Sequence, residues 1–149
     1  MSDSDWSVRR STSGSIIQWH KACIDWGSSQ QPSISLSSCK AEVMAGSETT
    51  KSVVYFRNLL EKLGFPQNSP TPICVDNKAA IDLAYSGSSA HHKKSKHILR
   101  RHFFMQEMVE NKSITVPYIK TAQNVADYFT KALTPCNFFK FRKIVTNEK

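Results

Sequence analysis

The alternation of apolar and polar residues near the start of the chain predicts a run of short strands. Residues 15–19 and 22–26 both have strand character, and the two polar residues between them are typical of a tight turn. Residues 2–8 carry Trp6 and Val8 at a spacing that places both on one face of a strand. The first third of the chain therefore predicts a meander of two or three antiparallel strands.

The next segment changes to a helical period and leads into a buried strand. Apolar residues recur at helical spacing over 38–63, and Gly64 is a typical helix stop. Residues 73–75 are consecutively apolar, which predicts a strand buried on both faces, as in a parallel sheet. A crossover helix as long as 38–63 permits a parallel pairing. Asp76 then stands at the carboxyl end of the strand, where open α/β sheets place their ligands.

The remaining elements are shorter. A helix is predicted over 78–85, and a second helix is predicted to end near residue 111. Residues 114–119 alternate as a strand, and Pro117 within it favours the edge of a sheet. The pattern predicts a last helix over about 125–133.

Composition indicates one globular domain with a basic surface. With 149 residues and 40% hydrophobic content, the chain can bury an ordinary core. The formal charge of +8 favours a polyanionic partner, although a merely solvated basic surface gives the same charge. Residues 91–102 hold five Lys or Arg, four His and no acid. A zinc site formed by these histidines is a weaker alternative, since no Cys or acid accompanies them.

The cysteines and the N-terminus favour an intracellular protein. Four cysteines lie far apart without a Cys-x-x-Cys pair, so the pattern favours reduced thiols over a zinc ribbon or a disulfide framework. No apolar run has the length that spans a bilayer, and residues 1–5 are polar and acidic, unlike a signal peptide. We expect no membrane partner and no export by that route.

Four acids occupy positions that favour a metal site: Asp3, Glu42, Asp76 and Asp127. Converging carboxylates repel one another unless cations neutralise them, and hard oxygen ligands suit Mg²⁺ or Mn²⁺. Such a cluster serves two-metal phosphodiester hydrolysis. The alternatives are that Asp76 caps the helix that follows it, and that Glu42 and Asp127 are ordinary solvated helix residues.

Several blocks of residues, in a fixed order across nearly the whole chain, carry a family resemblance. They are Ser2-Asp3-Ser4-Asp5-Trp6, Arg10-Ser11-Thr12-Ser13-Gly14, Leu36-Ser37-Ser38-Cys39-Lys40-Ala41-Glu42-Val43-Met44-Ala45, Asp76-Asn77-Lys78-Ala79-Ala80-Ile81, Ser95-Lys96-His97-Ile98, His102-Phe103 and Asn124-Val125-Ala126-Asp127-Tyr128-Phe129-Thr130-Lys131-Ala132-Leu133. In these blocks the chain resembles the ribonuclease H domain of copia-type retrotransposon polyproteins.

The resemblance implies a fold and an activity. The implied fold is α/β and ribonuclease H-like, a five-stranded mixed sheet of strand order 3-2-1-4-5 with flanking helices over residues 1–135. We expect the first strand to be truncated at the N-terminus, and residues 136–149 to form a basic aromatic tail. The implied activity is hydrolysis of the RNA strand of RNA/DNA hybrids during reverse transcription. Implied partners are two Mg²⁺ ions (Mn²⁺ also possible), the hybrid and the reverse transcriptase domain of the same polyprotein, in a cytoplasmic virus-like particle, the nucleus or both.

The resemblance also assigns roles to the acids. Asp3 matches the first metal-binding Asp, with Asp5 as the alternative. Glu42 matches the helix acid that contacts metal and water, Asp76 the strand acid that bridges the ions, and Asp127 the fourth acid.

Candidate substrate contacts surround these acids and the basic run. They are Ser37, Ser38, Asn77, Lys93, Lys94, Lys96, His97, Arg100 and Arg101. Lys and Arg neutralise phosphates without reading sequence, as suits an enzyme whose substrate is defined by helix shape and 2′-hydroxyls. For Ser37, Ser38 and Asn77, helix capping is an equal alternative. For the whole chain, the alternative to an enzyme is a catalytically silent or decayed nucleic-acid-binding fragment of the same fold.

Overall fold

The computed structural model describes residues 11–31, 38–86 and 96–148; for 38–40 and 96–102 it describes the backbone alone. In chain order the elements are β1 (Thr12–Trp19), β2 (Ala22–Gln30), α1 (Ser38–Lys62), β3 (Thr71–Pro72), α2 (Lys78–Tyr85), α3 (Lys96–Glu110), β4 (Ile114–Thr115) and α4 (Pro135–Val145). Two short 3-10 helices, Thr121–Gln123 and Val125–Phe129, lie between β4 and α4.

Strands β1 and β2 form the predicted antiparallel hairpin. His20 and Lys21 make the turn with φ angles of 49° and 68°, the left-handed conformation that two-residue hairpin loops require. Both strands are longer than predicted, and the pairing continues to the contact of Thr12 with Gln30. The two strands thus form a twisted ribbon on which later elements pack.

Helix α1 has the predicted extent to within one residue. Gly64 ends it with a φ of 86°, while the Phe65 N–H donates to the Leu60 carbonyl oxygen at 2.8 Å. Gly46 lets α1 approach α3 closely, since a Cβ at this position would lie 3.1 Å from Sδ of Met105. This contact brings α1 and α3 together over one core.

Residues 71–75 pair in parallel with residues 113–119, as predicted for the buried strand. The Ile73 N–H donates to Thr115 O at 2.8 Å, the Val75 N–H to Pro117 O at 3.0 Å, and the Ile119 N–H to Val75 O at 3.0 Å. The prediction that this strand is buried on both faces is wrong, because Ile73 and Val75 are buried whereas Cys74 is exposed. Successive side chains of a strand point to opposite faces, and here one face is covered.

The core lies between the helices and this parallel ladder. Its buried members are Val43, Val53, Ile73, Val75, Ala80, Ala84, Met105, Ile114 and Val116. Because α1, α2 and α3 all contribute to it, the ladder that ends at Asp76 is anchored in a core shared by three helices.

The end of the chain differs from its prediction. The helix expected over 125–133 is a 3-10 helix that ends at Phe129. Pro135 begins α4, and the residue before a proline is disfavoured in the helical region, so one continuous helix cannot cross this point. Helix α4 covers most of the predicted tail and buries Phe141, while the boundary at residue 135 stays a prediction.

The described elements make a mixed α/β fold in two separate two-stranded sheets, β1-β2 and β3-β4. The five-stranded sheet is not seen within the described ranges. No helix among the described residues is long and apolar enough to cross a membrane. Cys23, Cys74 and Cys136 are free thiols.

Candidate active site

Asp76 lies at the carboxyl end of the parallel ladder. Its main chain follows directly after Val75, and its side chain is half-buried. The cap of α2 is Asn77, whose Oδ1 accepts the Ala80 N–H at 3.3 Å. The interpretation of Asp76 as the helix cap is therefore wrong, and the capping alternative for Asn77 is confirmed.

The surroundings of Glu42 include two other carboxylates, those of Asp76 and Asp127. Its side chain, in the early turns of α1, is half-buried. Burial raises the pKa of the Glu42 carboxyl, the negative charges of Asp76 and Asp127 raise it further, and the Lys131 ammonium lowers it. Residues separated by up to 85 positions in sequence thus act on one another electrostatically.

Asp127 is the most enclosed of these acids, with 8% of its surface exposed. Lys131 Nζ lies 2.7 Å from Asp127 Oδ2, and Asn124 Nδ2 donates to Asp127 Oδ1 at 3.4 Å. Asn124 also caps the 3-10 helix by accepting the Ala126 N–H at 3.2 Å. Because both carboxylate oxygens have partners, the orientation of the Asp127 side chain is fixed.

The approach of β1 to the 3-10 helix holds Asp127 in place. A Cβ at Gly14 would lie 2.6 Å from the Ala126 carbonyl oxygen and 2.6 Å from Cγ2 of Thr130. Only glycine fits this contact without displacing backbone. Gly14 therefore sets how near the strand ribbon comes to the helix that carries the fourth acid.

A cavity of about 330 Å³ separates the two sheets. Its walls are one edge of β1, the segment 71–75, residues 123–126 and the α1 residues around Glu42. Each sheet thus presents a strand to the same space, and Glu42 lines that space.

The described acids alone do not complete a metal site. In the part of the chain that the structure describes, no three His, Cys, Asp or Glu side chains are placed to hold one metal ion. The donor chemistry, carboxylate oxygen in every case, suits hard divalent cations. Asp3 and its alternative Asp5 lie outside the described residues.

The predicted substrate contacts are described unevenly. Asn77 is half-buried beside Asp76. Ser38 begins α1, and Lys96, His97, Arg100 and Arg101 lie on α3, where the backbone alone is described. Ser37, Lys93 and Lys94 lie outside the described residues. Those contacts stay predictions.

Sequence reasoning missed Lys131 and the packing role of Gly14. The first has a sequence signal, because Asp127 and Lys131 are four residues apart, the separation at which side chains meet on a helical turn. The packing role of Gly14 has no sequence signal, because it can be identified only from the backbone that approaches this residue.

Comparison with known proteins finds three plant relatives. The retrovirus-related Pol polyprotein from transposon TNT 1-94 of Nicotiana tabacum is 36% identical over 135 residues, which is 91% of this chain and 10% of that protein. The corresponding polyprotein from transposon RE2 of Arabidopsis thaliana is 30% identical over 148 residues, 96% of this chain and 10% of that protein. The polyprotein from transposon RE1 of Arabidopsis thaliana is 29% identical over 144 residues, which is 94% of this chain and 10% of that protein.

The homologues of the chain are thus retrovirus-related Pol polyproteins from plant transposons, and the chain spans about a tenth of the length of each. No protein-family model and no solved structure matches it.

Proposed function

We propose that the chain is the ribonuclease H domain of a copia-type retrotransposon polyprotein, and that it hydrolyses the RNA strand of RNA/DNA hybrids during reverse transcription. The observation that carries this proposal is that the negative charges of Asp76 and Asp127 both raise the pKa of Glu42, whose side chain lines the cavity between the two sheets. An early turn of a long helix, a strand end and a 3-10 helix each contribute one acid. The likeness to plant transposon Pol polyproteins over more than nine-tenths of the chain supports the same assignment.

The proposal includes the five-stranded sheet. The cavity between β1 and residues 71–75 is bordered by strands of both sheets, and backbone groups at such edges require hydrogen-bond partners. We propose that a further strand joins the two sheets there. Asp3, which lies outside the described residues, is proposed as the remaining carboxylate of the site.

The carboxylates define the chemistry of the proposed site. Asp3, Glu42, Asp76 and Asp127 would hold two Mg²⁺ ions, or Mn²⁺. Bound ions of this kind activate a water for attack and stabilise the leaving oxygen of a phosphodiester. Asp127, with both oxygens held by Asn124 and Lys131, keeps a fixed negative charge at one side of the site. Asn77, tied to the start of α2, holds the chain rigid directly after Asp76.

The test is cleavage of a labelled RNA/DNA hybrid by the purified chain in Mg²⁺, with duplex DNA of the same sequence as the comparison. Asp76→Asn should abolish cleavage, because it removes the carboxylate that we propose bridges the two metal ions. Asp82→Asn is the matched control, since Asp82 is exposed on α2, and it should cleave normally.

Folding must be measured beside activity. A cooperative thermal transition followed by circular dichroism establishes that each sample is folded. A folded wild-type chain that binds hybrid without cleaving it, and whose binding is unchanged by Asp76→Asn, would contradict the enzyme assignment and support the silent binding fragment.

The proposed partners follow from the same assignment. They are the RNA/DNA hybrid and the reverse transcriptase part of the same polyprotein, with action in a cytoplasmic virus-like particle or in the nucleus. The basic composition, +8 over 149 residues, supports the polyanionic partner.

A further inference from the structure

Five aromatic side chains form a continuous surface from the 3-10 helix that carries Asp127 to α4. We call this the aromatic platform; its members, in the order in which the rings meet, are Trp26, Phe129, Tyr128, Phe138 and Phe139. The ring centroids of consecutive members are 5.1 to 5.5 Å apart. Each ring therefore touches the next.

The rings of the platform are open to solvent at both ends. Trp26 stacks on Phe129 with an angle of 2° between the ring planes, yet 58% of Trp26 is exposed. At the other end, 41% of Phe138 and 55% of Phe139 are exposed. Large aromatic side chains contribute strongly to a core when they are buried, so a connected exposed set indicates a binding surface.

Positive charge accompanies the platform on α4. Residues 134–147 include Lys140, Arg142 and Lys143 and no Asp or Glu. The Arg142 guanidinium lies 5.5 Å from the centroid of the Phe139 ring, where a cation interacts favourably with the face of an aromatic ring. Glu148, which pairs with Arg142 at 3.2 Å, is the first acid after this segment.

The platform is held rigid by contacts to β2. The Ser28 hydroxyl donates to Phe129 O at 2.8 Å. Asn147, just after α4, accepts the Cys23 N–H at 2.7 Å through Oδ1 and donates to Cys23 O at 3.1 Å through Nδ2. A surface fixed in this way loses little conformational entropy when it binds a ligand.

We propose that the aromatic platform binds single-stranded nucleic acid, with bases on the exposed rings and phosphates beside the surrounding Lys and Arg. Exposed rings combined with a cationic border are the usual construction of single-strand binding surfaces, because every base has a face that can stack. A protein partner would need acidic groups to match the three cations of α4, whereas a polynucleotide supplies negative charge at every residue. Binding of this kind requires neither metal ions nor cleavage.

Binding is measured by fluorescence anisotropy of a labelled oligo(dT) in EDTA, so that no metal-dependent reaction contributes. Phe139→Ala should weaken binding about fivefold or more, the loss expected for one base–ring stack. Lys140→Gln should weaken it and lower the salt dependence, because one phosphate contact is lost. Tyr55→Ala and Lys62→Gln, at exposed positions on α1, are the matched controls and should leave the affinity unchanged.

A second measurement uses the tryptophans. Oligo(dT) should quench the fluorescence of the wild-type chain and of Trp19→Phe, whereas Trp26→Phe should lose most of the quenching. Trp19 provides the comparison because its ring packs against Phe65, away from the platform.

Three results would overturn the proposal: no binding of oligo(dT) at low salt by the folded chain, equal losses in platform and control variants, or self-association that Phe139→Ala abolishes while oligo(dT) does not compete with it. The last result would assign the platform to a second copy of the chain.

Asp76→Asn should bind oligo(dT) normally, so loss of hybrid cleavage in that variant leaves this proposal intact. If the wild-type chain binds oligo(dT) but does not cleave hybrid, the proposed ribonuclease function is contradicted and the proposal for the aromatic platform is not.

Discussion

The ammonium group of Lys131 lies 2.7 Å from Oδ2 of Asp127 and places a positive charge among carboxylates. Half of the Lys131 side chain is exposed, whereas the Asp127 side chain is 11% exposed. The same ammonium lowers the pKa of Glu42, against the effects of burial and of two neighbouring negative charges. Lys131 therefore offsets repulsion at two acids that come from different parts of the chain.

Replacing Lys131 with Met should destabilise the metal-free protein at neutral pH by about 1 kcal/mol, between the effects of exposed and buried ion pairs. The reason is that Asp127 stays buried without its counter-charge. Urea unfolding in EDTA measures the change. Lys51→Met is the control, because Lys51 pairs with Glu48 at 3.1 Å and both are exposed. Equal losses in the two variants would contradict the role assigned to Lys131.

Glu42 should give the folded protein a distinctive pH dependence. Its pKa is raised in the folded chain, so its ionised form is disfavoured by folding, and the stability that it contributes at low pH is lost as pH rises. The loss begins near the ordinary value of 4.5 and is complete above the raised pKa. Glu42→Gln should therefore be more stable than wild type at neutral pH in EDTA.

The comparison of Glu42→Gln with wild type is made by urea unfolding over a series of pH values. The stabilisation should disappear below about pH 4.5, where both states of the wild-type side chain are protonated. A Glu42→Gln chain that is less stable than wild type at neutral pH would mean that the carboxylate is stabilised by its surroundings.

Gly14→Ala should lower stability by about 1–3 kcal/mol, as overpacking of a close contact does. The added Cβ would meet the Ala126 carbonyl oxygen at 2.6 Å, and backbone must shift to relieve this contact. Gly27→Ala is the matched control on β2, because its Cβ would meet the Ser15 hydroxyl at 3.0 Å, a group that can rotate away. Thermal unfolding of both variants gives the comparison; a smaller loss at Gly14 than at Gly27 would contradict the packing argument.

The elements that sequence predicts well are those with local signals. The hairpin follows from two polar residues between strand patterns, and α1 follows from a helical period that ends at Gly64. The apolar run 73–75 predicted a strand of a parallel sheet, but the parallel partner in the described ranges is 113–119 and not a strand before α1, and the exposure of Cys74 was not predicted. Which face of a strand is covered depends on distant segments, and no local pattern encodes it.

The candidate site likewise combines residues that have a local sequence signal with contacts that only the fold creates. Residue type and strand position pointed to Asp76, but the choice between Asp76 and Asn77 as helix cap required the Asn77 contact with the Ala80 N–H. The electrostatic effect of Asp76 and Asp127 on Glu42 depends on the tertiary arrangement of three segments that are distant in sequence. Residues 125–133 were predicted as one helix from the local pattern, whereas the structure has a 3-10 helix that ends at Phe129. The close packing of this segment against Gly14 is a tertiary contact, which no local pattern encodes.

Tyr85 protects the outer edge of β4, and Tyr85→Phe should expose that edge. Residues 113–119 alternate between facing residues 71–75 and facing away, and the outward Val116 N–H donates to the Tyr85 hydroxyl oxygen at 2.9 Å. The Tyr85 hydroxyl thus supplies the acceptor that a neighbouring strand would otherwise give to this N–H. Removing the hydroxyl leaves a buried N–H unpaired, at a cost of about 1 kcal/mol or more.

The effect of Tyr85→Phe is local, and hydrogen exchange at single amides detects it. Exchange of the Val116 amide should accelerate about fivefold, the ratio that corresponds to about 1 kcal/mol, while the Ile73 amide, bonded to Thr115 O at 2.8 Å within the ladder, should change less. Tyr55→Phe, at a position 62% exposed on α1, controls for loss of a phenolic hydroxyl elsewhere. If Val116 exchanges at the wild-type rate in Tyr85→Phe, another group satisfies its N–H and the edge does not depend on Tyr85.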